Sequence, residues 1–281
     1  MPPRHIKTVG FREFTIFVAR VGSEFVALGR DTHGVEIARF SGSTPEDAEA
    51  ALKRELLGRS DSYLGIDEAI RLFTKVYPDG FADPYYLVRE RAYKVKSSRS
   101  FAAAAPPDSL ADETQAAAVA ERLRSVFGGT DILHTVEKAK FRDALARQPE
   151  QIVRGLAAVL NEEEPGAAFD AYADQLRRED ACSWPNVSYL LFLADPSRWL
   201  FIKPSVLQTC ADRLGWDLAY DPFVSADTYQ GFLGFGRALR AKLEPLNPRD
   251  WIDVHTFIFA VNYEGYVAEM LAGREKWEAA Q

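Results

Sequence analysis

The chain of 281 residues carries 34 Lys and Arg against 41 Asp and Glu, a formal net charge of -7. That balance excludes a uniformly basic nucleic-acid binder and confines any phosphate contact to a concentrated local patch. With 47% hydrophobic and 27% charged residues, the composition is globular, and the chain is long enough to bury a core without disulfide staples.

In chain order, residues 11–21 read as a strand, with Phe14, Ile16 and Val18 alternating against Thr15, Phe17 and Ala19. Gly22-Ser23 turns the chain into a second strand over 25–28. Asp31-Thr32-His33-Gly34 turns it into a third over 35–40. Ser43 or Thr44 then caps a helix, with Pro45 just inside it and Glu46-Asp47 in its first turn. Ala48, Ala51, Leu52 and Leu56 form its apolar stripe, and Gly58 ends it. This predicts a small three-stranded antiparallel sheet plus helix, a β-β-β-α module within 1–60. A short amphipathic helix follows over 66–76, with Ile66, Ala69, Ile70 and Phe73 on one face. Tyr77-Pro78-Asp79-Gly80 is a turn. Residues 81–100 are aromatic and basic, and 102–108, closed by Pro106-Pro107, read as a linker. The segment 61–108 is therefore expected to be irregular.

From residue 109 onward a larger, mostly helical domain is predicted, so the fold class is α+β. Helices are expected over 116–127, stopped by Gly128-Gly129, and over 132–145, capped by Thr130 or Asp131. Further helices are expected over 150–160, 167–178 and 187–194, the last apolar and central. Residues 199–202 read as extended chain or a short strand. Three more helices are expected over 205–214, 228–243 and 248–272. The glycines Gly231, Gly234 and Gly236 lack the order and the preceding strand of a dinucleotide fingerprint, and instead suit close approach of a neighbouring helix.

The most basic stretch holds Arg89, Arg91, Tyr93, Lys94, Lys96 and Arg99, with Tyr85 and Tyr86 beside it. Cations with flat rings are what a phosphate backbone and exposed bases require. Alternation of Tyr93 and Val95 with Lys94 and Lys96 places both lysines on one face of a strand. The same pattern also suits a solvated strand whose lysines guard a sheet edge. Asn247 reads as the cap of the last helix, with Pro248 at its first position. Arg249 near that positive helix end calls for an acidic partner, an internal carboxylate or a ligand. Lys203, ahead of Pro204-Ser205 at another helix start, suits an anion. Lys203, Arg249 and Asp253 are thus the candidate ligand or anion site, and also the first suspects for a hydrolase or nuclease assembled in the helical domain.

No P-loop, H-E-x-x-H or G-x-S-x-G motif is present. The four histidines, His5, His33, His134 and His255, lie near no nucleophile in sequence, and His134 reads as a half-buried helix residue. Pro78-Asp79 and Glu90 suggest a metal-dependent nuclease, but Ala92 stands where such a pattern needs Lys. Neither metal nor cofactor is expected. Cys182 and Cys210 lie outside any C-x-x-C pair and read as small hydrophobes in a reducing compartment. The first residues lack the apolar core of a signal peptide, and the run over 187–194 is too short to cross a bilayer. A cytoplasmic location without membrane contact is expected.

Phe201-Ile202-Lys203-Pro204-Ser205, Gly215-Trp216-Asp217-Leu218 and the run from Asn247-Pro248-Arg249-Asp250 through Trp251-Ile252-Asp253-Val254-His255 to Ile258 carry a resemblance. Together, over about residues 184–262, they resemble a C-terminal segment of uncharacterised bacterial proteins, some linked to McrB-like restriction systems. Those proteins often carry Met and Gln where this chain has Trp251 and His255. The resemblance implies a bacterial origin and a link to mobile elements or phage defence, and no chemistry. The N-terminal element order, with Ser43-Thr44-Pro45-Glu46-Asp47-Ala48 at the helix start, is similar in outline to HicB-like antitoxins. The expected function is a non-catalytic binding or adaptor protein that meets DNA, RNA or a protein partner, with a protein–protein or immunity module as a further reading.

Overall fold

The computed structural model describes residues 3–60, 62–127, 132–262 and 265–281. The chain divides into two compact units, Met1–Ala69 with Ala211–Leu218, and Ile70–Cys210 with Ala219–Gln281.

The first unit is an antiparallel meander in the order β1-β2-β3-β4, with β1 Arg4–Phe11, β2 Phe14–Val21, β3 Glu24–Arg30 and β4 Glu36–Gly42. The sheet thus has four strands where three were expected. The extra hairpin turns at Arg12-Glu13, with Phe11 paired to Phe14. No glycine marks this turn. Arg12 itself takes the left-handed conformation, φ 55°, and its guanidinium is held by the Asp212 carboxylate. The strain of an L-residue there is offset by a partner that sequence spacing does not reveal. On β2, Phe14, Ile16 and Val18 face inward onto helix α1, Pro45–Leu57, through Ala48, Leu52 and Leu56. Alternation with period two meets a stripe with period 3.6, and the two apolar faces close on each other. Thr44 is the cap, its hydroxyl accepting from the Asp47 N–H at 3.1 Å.

Helix α1 lies very close to the end of β4. A Cβ added to Gly42 falls 2.5 Å from the Ala48 nitrogen. Gly42→Ala therefore has to push the helix off the sheet. The expected cost is about 1–3 kcal/mol of stability, read from urea unfolding of the full chain. A change below about 0.5 kcal/mol contradicts this close approach.

The helical elements are α2 Ile66–Val76, α3 Pro84–Tyr86, α4 Ala92–Ala104, α5 Pro107–Ala111, α6 Ala116–Val126, α7 Thr135–Arg147 and α8 Pro149–Asn161. They continue as α9 Ala167–Arg178, α10 Trp184–Ala194, α11 Pro204–Arg213, α12 Ala226–Lys242, α13 Trp251–Asn262 and α14 Tyr266–Glu278. Within the second unit α10 is central: its residues 184–193 are all buried, and it packs on α4, α7, α8 and α9. Both of its buried polar side chains are hydrogen-bonded, although Asn186 Oδ1 has no donor among the described residues. Ser188 donates to the Trp184 carbonyl at 2.7 Å and accepts from the Ile202 N–H, while Asn186 donates to the Ala181 carbonyl. Residues 199–202 are buried and belong to neither a helix nor a strand.

Several expectations are corrected here. The stretch 102–108 is not a linker. Helix α4 continues to Ala104, Phe101 and Ala104 are buried, and Arg122 Nε donates to the Ala104 carbonyl at 2.7 Å. The proposed stops and caps at 128–131 lie outside the described residues. His134 is exposed and itself caps α7, because its Nδ1 accepts from Val136 N while Glu137 reaches back to His134 N. The helix expected over 248–272 is two helices, α13 and α14. Only Gly236 of the three glycines serves a close contact: a Cβ there meets Trp251 and Leu200 at 3.1 and 3.3 Å, whereas Gly231 and Gly234 face open space. Among the described residues neither cysteine forms a disulfide; Cys210 is buried and Cys182 half-buried. No helix among the described residues is long and apolar enough to cross a membrane.

Candidate functional site

The basic stretch lies in helix, not strand. Asp83 starts it, its carboxylate accepting from the Tyr85 and Tyr86 N–H groups at 2.9 and 3.4 Å with Pro84 at the first helical position. Asp83 is fully buried and pairs with Arg274 Nη1 at 2.9 Å. A π-helical turn, Leu87–Arg91, joins α3 to α4. Such turns shift the side-chain register within a helix and recur at functional positions. The consequence is a sorting of the six candidates onto two sides.

Arg91 and Lys94 turn inward. Arg91 grips Asp250 in a two-pronged ion pair, Nη1 to Oδ1 at 2.8 Å and Nη2 to Oδ2 at 2.5 Å, and also donates to Asp253 Oδ1 at 2.8 Å. Lys94 is 2% exposed, and its ammonium donates to Thr256 Oγ1 at 2.8 Å and to Glu90 Oε2 at 3.3 Å. Neither cation is placed to meet a phosphate, because each already compensates buried charge or a buried hydroxyl. This corrects the sequence reading, in which alternation put Lys94 and Lys96 on one face. In a helix, residues two apart diverge by more than half a turn.

Asp253 is the hub of the inward side. Fully buried on α13, it accepts from Tyr86 Oη at 2.6 Å, from Arg91, and from the Arg249 backbone N–H, Nε and Nη2 at 2.9, 2.8 and 3.0 Å. Arg249 also donates to the Phe81 carbonyl. Asp250 rather than Asn247 caps α13, accepting from Ile252 N at 3.0 Å, and Asn247 takes a left-handed conformation three residues earlier. Burial by itself raises the Asp253 carboxyl, but the hydrogen bonds from Arg249 and Tyr86 and the charge of Arg91 outweigh it and hold it below its ordinary value. Burial pulls the Lys94 ammonium downward against the opposing pull of Glu90. Burial, then the neighbouring Asp253 charge, pushes the Tyr86 phenol up. The rings of Phe73, Phe81, Tyr86 and Tyr77 wall this network, with centroid separations of 5.0–6.3 Å. Behind them Tyr77 and Tyr266 share a 2.7 Å hydrogen bond.

Each donor aimed at Asp253 is committed, so the network fixes α13 against the 84–104 helical stretch and presents no activated nucleophile. The candidates of the enzyme reading are divided accordingly. Arg249 and Asp253 hold each other, the internal carboxylate being the partner that Arg249 called for. Lys203 is exposed, and among the described residues its ammonium forms no ion pair. Among the described residues, no group of three or more His, Cys, Asp or Glu side chains is placed to hold a metal ion.

Arg89, Tyr93, Lys96 and Arg99 point outward and are all exposed. Offsets of four, three and three residues keep them along one side of the helix, over roughly 15 Å. Among the described residues Arg89, Lys96 and Arg99 enter no ion pair, in contrast to Arg91 and Lys94. One side of the Tyr93 ring meets the Lys94 ammonium, 5.1 Å from its centroid. The helical spacing of these residues is visible in the sequence, and reading 89–99 with a period of 3.6 instead of two would have found the stripe.

Comparison of the chain with known protein families, with curated proteins and with solved structures finds no match.

Proposed function

We propose that the protein is a non-catalytic binding protein that contacts nucleic acid through the exposed stripe of Arg89, Tyr93, Lys96 and Arg99. The observation that supports this reading most is the state of the three cations. In a chain of net charge -7, Arg89, Lys96 and Arg99 stand exposed on one helix side with no acidic partner among the described residues. A row of uncompensated cations releases counterions on meeting a phosphate backbone, which is the main source of such affinity. Tyr93 adds a ring on which a base can stack. The length of the stripe matches about four base steps of a strand. The buried network supports the stripe from behind, since Arg91 and Lys94 anchor the same helix from its opposite side.

The test is fluorescence anisotropy with labelled single-stranded DNA, duplex DNA and RNA over a salt series. The triple variant R89E/K96E/R99E is expected to lose at least about tenfold in affinity at low salt and to show a shallower dependence of affinity on salt. Its melting temperature should stay near that of the parent, because all three side chains are exposed and enter no ion pair among the described residues. Charge reversal at Lys94 is not an equivalent test, because it places a second carboxylate inside beside Glu90. Absence of binding at about 50 mM salt, or an unchanged affinity in the triple variant, removes this reading.

A further inference from the structure

On the second unit, a cleft of about 560 Å³ opens between the turn after α10, the C-terminal part of α12 and the start of α13. Its lining includes Arg198, Arg237 and Arg240 against one acid, Glu244, together with Asn247 and Trp251. Outside the lining, Glu164 pairs with Arg237 at 2.8 Å and Asp195 lies 3.7 Å from Arg198, whereas Arg240 has no ion-pair partner among the described residues.

The protein itself uses only part of their hydrogen-bonding capacity. Arg198 donates from Nη1 and Nη2 to the Glu162 and Leu160 carbonyls, at 2.9 and 2.6 Å. Its Nε has no hydrogen-bond acceptor among the described residues, Asp195 Oδ2 lying 3.7 Å away. Arg240 donates from Nη2 alone, to the Pro248 and Arg249 carbonyls at 3.3 and 2.9 Å. Arg237 also donates from Nη2 alone, to the Glu164 carboxylate at 2.8 and 2.9 Å. Each guanidinium carries five N–H groups, and Nε and Nη1 of both Arg237 and Arg240 have no acceptor among the described residues. Trp251 is 3% exposed, and its indole N–H is buried with no acceptor among the described residues. Arg240 lies over its ring, 5.8 Å from the centroid.

From this surplus of donors we infer that the cleft binds the phosphate group of a small phosphate monoester. A tetrahedral dianion offers several acceptor oxygens at once and meets planar guanidinium groups in paired hydrogen bonds, which a lone carboxylate does less fully. The volume lies within the range of small-molecule pockets and leaves room for an organic part the size of a nucleoside beside the Trp251 ring. The Arg198 and Arg240 side chains are pre-positioned by their bonds to backbone carbonyls, so little side-chain freedom is lost on binding. The site is independent of the stripe on α4.

The test is calorimetric titration of the full chain with AMP and with inorganic phosphate, against acetate as a monoanion control. AMP or phosphate is expected to bind with Kd below about 1 mM and acetate to bind at least about tenfold more weakly. Arg237→Gln, at an exposed side chain, should weaken phosphate binding about tenfold with an unchanged melting temperature. Arg240→Lys should also weaken it, because an ammonium cannot donate in the same paired geometry. AMP tighter than phosphate brings the nucleoside into the cleft, whereas equal affinities leave the phosphate as the recognised group, and both orders support the assignment. The R89E/K96E/R99E variant should bind the anions as the parent does. No binding at about 10 mM ligand, binding unaffected by Arg237→Gln, or loss of anion binding in the α4 variant overturns it.

Discussion

Asp253→Ala is expected to lower the stability of the chain by about 3–5 kcal/mol, read from the urea midpoint by far-ultraviolet circular dichroism. The substitution removes the acceptor of five hydrogen bonds from a fully buried position. Tyr86 and Arg249 then lose their acceptor and Arg91 keeps only Asp250, and removing the fully buried member of an ion-pair network costs more than the net gain of the intact network. Asp250 still holds Arg91, so the helix contact survives in part, and Tyr86→Phe alone should cost only about 1 kcal/mol. A loss below about 1 kcal/mol for Asp253→Ala means that the network is peripheral to stability. The pH consequence has a definite sign. The folded carboxyl lies below its ordinary value of 3.8. Its contribution is complete above that value and is lost as pH falls through the folded pKa.

His255 is expected to make the fold acid-sensitive in a higher window. It sits on α13, 8% exposed, between the rings of Phe192 and Phe201, with centroids 5.9 and 5.4 Å away. Its Nδ1 has no hydrogen-bond partner among the described residues. Burial, followed by the positive charges of Lys94 and Lys203, pulls its pKa from 6.5 down to about 3. The unfolded chain therefore binds a proton below pH 6.5 that the folded chain refuses until about pH 3. Stability is complete above the unfolded value and falls by about 1.4 kcal/mol per pH unit across the window between the two. His255→Phe, whose ring suits the same aromatic surroundings, should remove this slope between roughly pH 6 and pH 4. Urea midpoints of both proteins over that range measure the difference. A parent slope unchanged in the variant refutes the assignment to His255. The Asp253 window lies lower, so the two effects separate.

Much of the local structure was legible. Phe14, Ile16 and Val18 face the core as their alternation indicated, and Ala48, Leu52 and Leu56 meet them. Thr44, Pro45 and the acidic first turn mark the start of α1 because capping depends on residues within one turn of each other. The apolar run before Asp195-Pro196 is the buried centre of its unit, since no face of it offers a polar side to water. The β1–β2 hairpin was not legible, because Arg12 adopts a left-handed turn with the help of Asp212, 200 residues away.

The candidate site divides in the same way. By itself the sequence determined that positive charge concentrates between Arg89 and Arg99, and that Arg249 at a helix start needs an acidic partner. Both conclusions rest on neighbours along the chain. The tertiary structure alone decided which cations turn inward. Arg91 is neutralised by Asp250, 159 residues on, and Lys94 is satisfied by Thr256, 162 residues on. It alone also gathered Arg198, Arg237 and Arg240 around one cleft. The physical reason is common to all three cases. The cost of burying or exposing a charge depends on what lies within a few ångströms in space, and that neighbourhood is set by how helices pack, not by spacing along the chain.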